Sequence, residues 1–117
     1  MSLFQSLSSI LSSGGIDAAE ANRRLQSDSP PFVLDVREPS EFSLGHIRSA
    51  RLIPLSELPA RLAELPSDRP ILCVCRSGSR SSAAVRQLTR AGLQAINLQG
   101  GMIAWQRSGL PVSKGRK

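Results

Sequence analysis

An unbroken apolar run, Ile71-Leu72-Cys73-Val74, passes directly into Cys75-Arg76-Ser77-Gly78-Ser79-Arg80-Ser81 and then into a segment with helical spacing over residues 80–91. Consecutive apolar residues of this kind suit a strand covered on both faces, which points to a parallel sheet with helices packed against it. The stretch therefore reads as a strand, a tight polar loop and a helix start, with a thiol at the strand's end. Such a loop turns several backbone N–H groups inward, and together with the positive end of the helix it holds an anion, a thiolate included. Cys75 is accordingly the candidate nucleophile.

The rest of the chain repeats the alternation. Leu3, Phe4, Leu7, Ile10 and Leu11 recur at helical spacing, so residues 1–13 are expected to form an amphipathic extension that Gly14-Gly15 ends. Asp17 and Glu20 have the spacing of a capping box, and Ala18, Ala21 and Leu25 carry a helical stripe up to Ser29-Pro30-Pro31. Phe32-Val33-Leu34-Asp35-Val36 is a second buried strand, with Asp35 near its C-terminal end, where open α/β sheets place their sites. A short helical turn from Pro39, a weak strand near Arg51, a small helix over residues 56–65 with Pro59 in its first turn, a strand over residues 95–98 and a last short helix from Met102 complete the pattern. Alternation of this kind means a parallel α/β sheet with right-handed crossovers, in one layered domain over residues 14–113 and a basic tail over residues 114–117.

Charge narrows the partners. Residues 1–66 hold six Arg against eight Asp and Glu, whereas residues 67–117 hold nine Lys and Arg against Asp68 alone. The positive half contains Cys75, so a small anionic substrate or an acidic partner protein is favoured. Nucleic acid is disfavoured, because aromatic residues interleaved with basic ones are missing. Residues 1–13 have no basic residue ahead of an apolar run and no long apolar stretch, so neither a leader nor a membrane span is expected. In a strand the Cα atoms of Cys73 and Cys75 lie near the upper limit for a bridge, so an internal disulfide would be strained, and a reducing, cytoplasmic setting is expected.

A free cysteine ionises near pH 8.5, and helix N-termini or nearby cations lower that to about 3.5–7.5. Arg76 and Arg80 supply cations; Ser77, Gly78 and Ser79 let the backbone curl and offer hydroxyl donors. Asp35 and Arg37 are placed to pair beneath the loop as a structural support, with Asp35 also placed to orient Arg80. Nothing else supplies a general base or a metal site: the only histidine, His46, is expected to anchor a loop, and Cys73 is expected in the strand core. No cofactor is implied. The chemistry rests on a thiolate in an anion cradle.

With these residues in view, the sequence resembles the rhodanese-like sulfurtransferases, specifically their small single-domain members. The resemblance runs from about Ile16 to Val112. It rests on Leu34-Asp35-Val36-Arg37-Glu38-Pro39 with Glu41-Phe42, on Gly45-His46-Ile47 followed by Ala50, on the loop from Cys75 to Ser81, and on Gly100-Gly101 with Trp105 and Gly109-Leu110-Pro111-Val112. It implies a three-layer α/β fold, a central mostly parallel sheet of about five strands with helices on both faces. It also implies that Cys75 takes a sulfane sulfur from an anionic donor such as thiosulfate, holds it as a persulfide cradled by the backbone from Arg76 to Arg80, and passes it to cyanide or a thiol. A sulfur relay or regulatory module docking a thioredoxin-like or other relay protein is the alternative. Phosphatases and arsenate reductases of the same fold place five residues between cysteine and arginine; here four separate Cys75 from Arg80, and Ser81 stands where such an arginine would be. The loop departs from that of the large two-domain thiosulfate enzymes, which carries a lysine and ends in threonine.

Overall fold

The structure, a computed structural model, describes residues 15–116. The amphipathic extension expected over residues 1–13 lies outside them. The elements alternate as α1 (Ala18–Leu25), β1 (Phe32–Asp35), α2 (Pro39–Leu44), β2 (Arg51–Leu52), a 3₁₀ segment (Leu55–Glu64), β3 (Ile71–Val74), α3 (Ser79–Arg90), β4 (Ala95–Asn97) and α4 (Gly101–Arg107). All strand pairs are parallel, in the order β2-β1-β3-β4, with Asp35 beside Val74 and Cys73 beside Asn97. The described residues thus form four strands rather than about five. Ile16 adds only a single parallel bridge to Leu98, because the chain enters α1 two residues later.

Strand alternation divides the core in two. Val33, Leu72 and Val74 face one side with Ala18, Ala21, Met102 and Trp105, beneath α1 and α4. Leu34, Val36, Ile71, Cys73 and Cys75 face the other with Leu58, Ala84 and Leu88, beneath the 3₁₀ segment and α3. Both faces are covered, which is why β1 and β3 read as continuous apolar runs. Each fully buried leucine or isoleucine here contributes about 1.5–3 kcal/mol relative to an exposed one.

The connections explain where the site lies. The link from β1 to β2 carries Ile47 into the first face, while the links from β2 to β3 and from β3 to β4 cover the second. Steps in opposite directions across a sheet must lie on opposite faces if all crossovers share one hand. The direction reverses between the neighbours β1 and β3, so their C-terminal ends diverge and open a crevice. Asp35 ends β1 there and Cys75 follows β3.

Local chemistry fixes the ends. Asp17 caps α1 by accepting the Glu20 N–H at 2.9 Å. At the end of α3, Leu93 N–H bonds to Leu88 O and Gly92 N–H to Thr89 O around a left-handed Gly92, a Schellman ending. The helix expected over residues 56–65 is instead a 3₁₀ segment kinked at Arg61. Pro59 inside it has no N–H to give the Leu55 carbonyl, so α-helical bonding is interrupted. No described helix is long and apolar enough to cross a membrane.

Candidate active site

Cys75 lies one residue beyond β3 with its side chain fully buried against the second core. The loop rises from it with Arg76, Ser77 and Ser79 exposed, Gly78 buried and Arg80 half-buried. Gly78 makes the turn possible: its φ of 109° is in the left-handed region, which glycine adopts without steric cost. That turn aims the Gly78 N–H at the Cys75 Sγ, 3.0 Å away. Ser81, in the first turn of α3, brings its hydroxyl to 3.2 Å from the same sulfur.

Two further elements hold this cradle. Asn97, at the end of β4, accepts from the Ser81 hydroxyl with Oδ1 and donates from Nδ2 to the Gly78 carbonyl at 3.2 Å. It thereby ties together the two groups that touch the sulfur. The Ser81 hydroxyl has one proton and several acceptors around it, and a thiolate, being charged, competes for that proton better than a neutral thiol. From below, the first turn of α4 donates the Met102 N–H to Cys75 O at 2.9 Å and the Ile103 N–H to Arg76 O at 3.1 Å. Gly101, with φ of 56°, is the residue that allows this approach.

The electrostatics follow from these contacts. Burial pushes the Cys75 thiol up, but the Ser81 hydroxyl and the N–H groups of Ser81, Gly78 and Ser77 outweigh it, and the net direction is down. Cys73 has no such donors; burial, with Cys75 close by, pushes it up to about 12. The two thiols on one strand are thus separated by environment, one available as a thiolate and the other an inert core residue. Replacing Ser81 with alanine is expected to move the Cys75 titration midpoint upward, read as thiolate ultraviolet absorbance against pH. Cys73 titrates too high to interfere. An unchanged midpoint would mean that the hydroxyl does not stabilise the thiolate.

Arg80 serves differently from expectation. Arg80 does not meet Asp35; it forks onto Glu41 of α2 at 2.7 and 2.8 Å. Hydrogen bonds from Arg80 outweigh partial burial and hold the Glu41 carboxyl at about 2. Glu41 therefore clamps the start of α3 to α2 and occupies the guanidinium face that an oxyanion would need. Arg37 pairs with Asp35 and is 5% exposed. It donates from Nε to Asp35 Oδ1 at 3.0 Å and from Nη2 to Asp35 Oδ2 and Gly45 O, both at 2.8 Å. Asp35 and Arg37 form a closed pair that supports the turn into α2. His46 anchors its loop, with Nδ1 2.7 Å from Phe42 O and the ring stacked on Phe42. Trp105 is core, its indole N–H bonded to Pro111 O at 2.9 Å. Among the described residues no group of three or more His, Cys, Asp or Glu is placed to hold a metal.

Ser81, Asn97, Glu41 and Gly101 are the site residues that sequence reasoning did not assign. Ser81 had a local signal: in a helix beginning at Ser79 its side chain points back over the turn towards Cys75. The assembly can hold an anionic, polarisable nucleophile on neutral donors and present it to an electrophile, without a general base.

The chain is similar to known proteins over most of its length. Residues 17–108 match the rhodanese-like domain. A sulfurtransferase of Allochromatium vinosum is 39% identical over 98 residues, spanning 83% of this chain and 92% of its own. The probable adenylyltransferase/sulfurtransferase MoeZ of Mycobacterium tuberculosis is 40% identical over 90 residues, spanning 74% of this chain but 23% of that longer one. The crystal structure of a rhodanese-related protein from Thermoplasma volcanium superposes with a TM-score of 0.79 at 36% identity, covering 85% of this chain and 96% of the other.

Proposed function

The chain belongs to the rhodanese-like domain family, and from that premise we propose that it is a sulfurtransferase that carries a sulfane sulfur on Cys75, from an anionic donor such as thiosulfate to cyanide or a thiol. The observation that carries the reading is the convergence of the Gly78 N–H and the Ser81 hydroxyl on the Cys75 sulfur. Neutral donors of this kind stabilise a thiolate and leave it nucleophilic.

In the first step the Cys75 thiolate attacks the outer sulfur of thiosulfate. The sulfur–sulfur bond of the donor breaks, its electron pair leaves with sulfite, and a persulfide forms on Cys75. In the second, cyanide or a thiolate attacks the outer sulfur of that persulfide and Cys75 leaves as thiolate. Thiocyanate or an organic persulfide is released, and no net oxidant is required. The N–H groups of the loop from Arg76 to Arg80 hold the anionic outer sulfur in the intermediate, and Arg76, exposed at the rim, attracts the donor. Asp35 and Arg37 support the turn around α2, whose Glu41 in turn holds Arg80 of the loop. Phosphatase chemistry is disfavoured on two grounds: four residues separate Cys75 from Arg80, and the Arg80 fork is already engaged by Glu41.

A sulfur-relay role differs only in the acceptor, a thiol of another protein in place of a small molecule. The MoeZ match, in which a similar segment is part of a longer chain named for adenylyl and sulfur transfer, favours keeping that reading second. The test is the isolated first step: protein given thiosulfate alone gains sulfur before any acceptor is added.

A further inference from the structure

Of the cavity beside the loop, between α2, Arg76 and α4, the transfer just described uses only Arg76 at the rim. The cavity's volume is about 230 Å³. Thiosulfate, with five heavy atoms, fills the space of two to three waters, roughly 60–90 Å³, so the cavity has room for a larger body. It adjoins the loop: Arg76, the residue after Cys75, lines it, and Met102 and Ile103, also in its lining, donate their N–H groups to the carbonyls of Cys75 and Arg76.

The lining has a definite chemistry. Met102, Ile103 and Leu44 make an apolar wall, and Leu44, at the tip of α2, is 76% exposed. Three charged residues also reach it. Arg37 is neutralised by Asp35 and Glu41 by Arg80, whereas the Arg76 guanidinium has no hydrogen bond or ion pair among the described residues. The cavity therefore presents one uncompensated positive charge beside apolar surface. That combination fits a carboxylate on a carbon skeleton better than a small inorganic dianion, which gains nothing from the apolar wall.

We propose that this cavity is a subsite for the organic part of the sulfur acceptor: a low-molecular-weight thiol with an apolar body against Leu44, Met102 and Ile103 and a carboxylate paired with Arg76. The proposal rests on Cys75 carrying the sulfur. The acceptor thiolate attacks the outer sulfur of the Cys75 persulfide, the new organic persulfide keeps that sulfur, and the Cys75 thiolate departs; the reverse step would load Cys75 from the organic persulfide.

Protein loaded with sulfur from thiosulfate is discharged in parallel with 4-mercaptophenylacetate, with its methyl ester and with cyanide, for the unsubstituted chain, Leu44→Ser and Arg76→Gln. Leu44 is exposed, so its replacement spares the fold. Leu44→Ser is expected to raise the KM for both mercaptans about fivefold to tenfold with kcat little changed, and to leave discharge by cyanide as it was. Arg76→Gln is expected to abolish the preference for the carboxylate over its ester. Discharge by the mercaptans that is indifferent to Leu44, or slowed in equal proportion with cyanide, overturns the subsite while leaving sulfur transfer standing. Failure to load sulfur at all overturns the transfer reading, and the subsite with it.

Discussion

Replacing Asp35 with alanine is expected to cost the fold about 3–5 kcal/mol, because it strands a buried cation. Arg37 is 5% exposed and its guanidinium is spent on Asp35 and on the carbonyls of Gly45 and Glu41. Without the carboxylate, those carbonyls remain but the charge loses its hydrogen-bonded counter-ion. A domain of this size has about 5–15 kcal/mol of stability in total, so the single variant would lose a large share of it and could fail to fold. The double variant Asp35→Leu with Arg37→Met separates the charge from the packing, and it is expected to recover most of the loss, since a buried pair replaced by apolar residues of similar size is often neutral. Urea midpoints of the three proteins measure this. A loss below about 1 kcal/mol for Asp35→Ala would mean that the pair is not the support described here.

The second large effect is expected at Gly101. A Cβ added there would stand 2.4 Å from Cys75 O and 2.5 Å from Arg76 O, in a residue whose φ is 56°. Both contacts are with backbone, so no rotamer change relieves them, and the strand end carrying the thiol must move. The left-handed conformation alone costs an alanine only about 1–2 kcal/mol. Displacing the nucleophile matters more, because an error near 1 Å in a reacting group costs about a hundredfold in rate. Gly101→Ala is therefore expected to slow sulfur loading of Cys75 about a hundredfold. Gly109→Ala is the control: φ there is 73°, but nothing lies within 4 Å of the new methyl group. It should show the conformational cost in stability and an unchanged loading rate. Equal rates for the two variants would contradict the close approach of α4 to the loop.

Which of these features could be read from the sequence depended on how far apart the partners are. The strand under Cys75, the helix after it and the placing of the thiol at a strand end follow from an apolar run, a glycine and a helical stripe within about twenty residues. The Asp17 cap is equally local. The fork of Arg80 on Glu41 joins residues 39 positions apart, and the Ser81 to Asn97 bond joins residues 16 apart. Each depends on the β2-β1-β3-β4 order, which local spacing does not encode. Asp35 was a reasonable candidate partner for Arg80, since both stand at the same sheet edge. The nearer Arg37, two residues along the chain, takes all of its carboxylate instead. The lowered thiol illustrates the same limit: the arginines in the loop suggest cations as the cause, whereas the donors that act on the sulfur are a hydroxyl and backbone N–H groups. Pro59 suited the first turn of a helix by position, yet it lies inside the segment, which is 3₁₀ and kinked at Arg61.

Whether Cys75 holds the sulfur in transit is read from intact mass. Reduced protein is incubated with thiosulfate, separated from it and weighed by mass spectrometry, with Cys75→Ser alongside. The expected result is a gain of one sulfur atom, mapped to Cys75, removed by cyanide and missing from the variant. No gain with thiosulfate or any low-molecular-weight persulfide, or the same gain in Cys75→Ser, would contradict it.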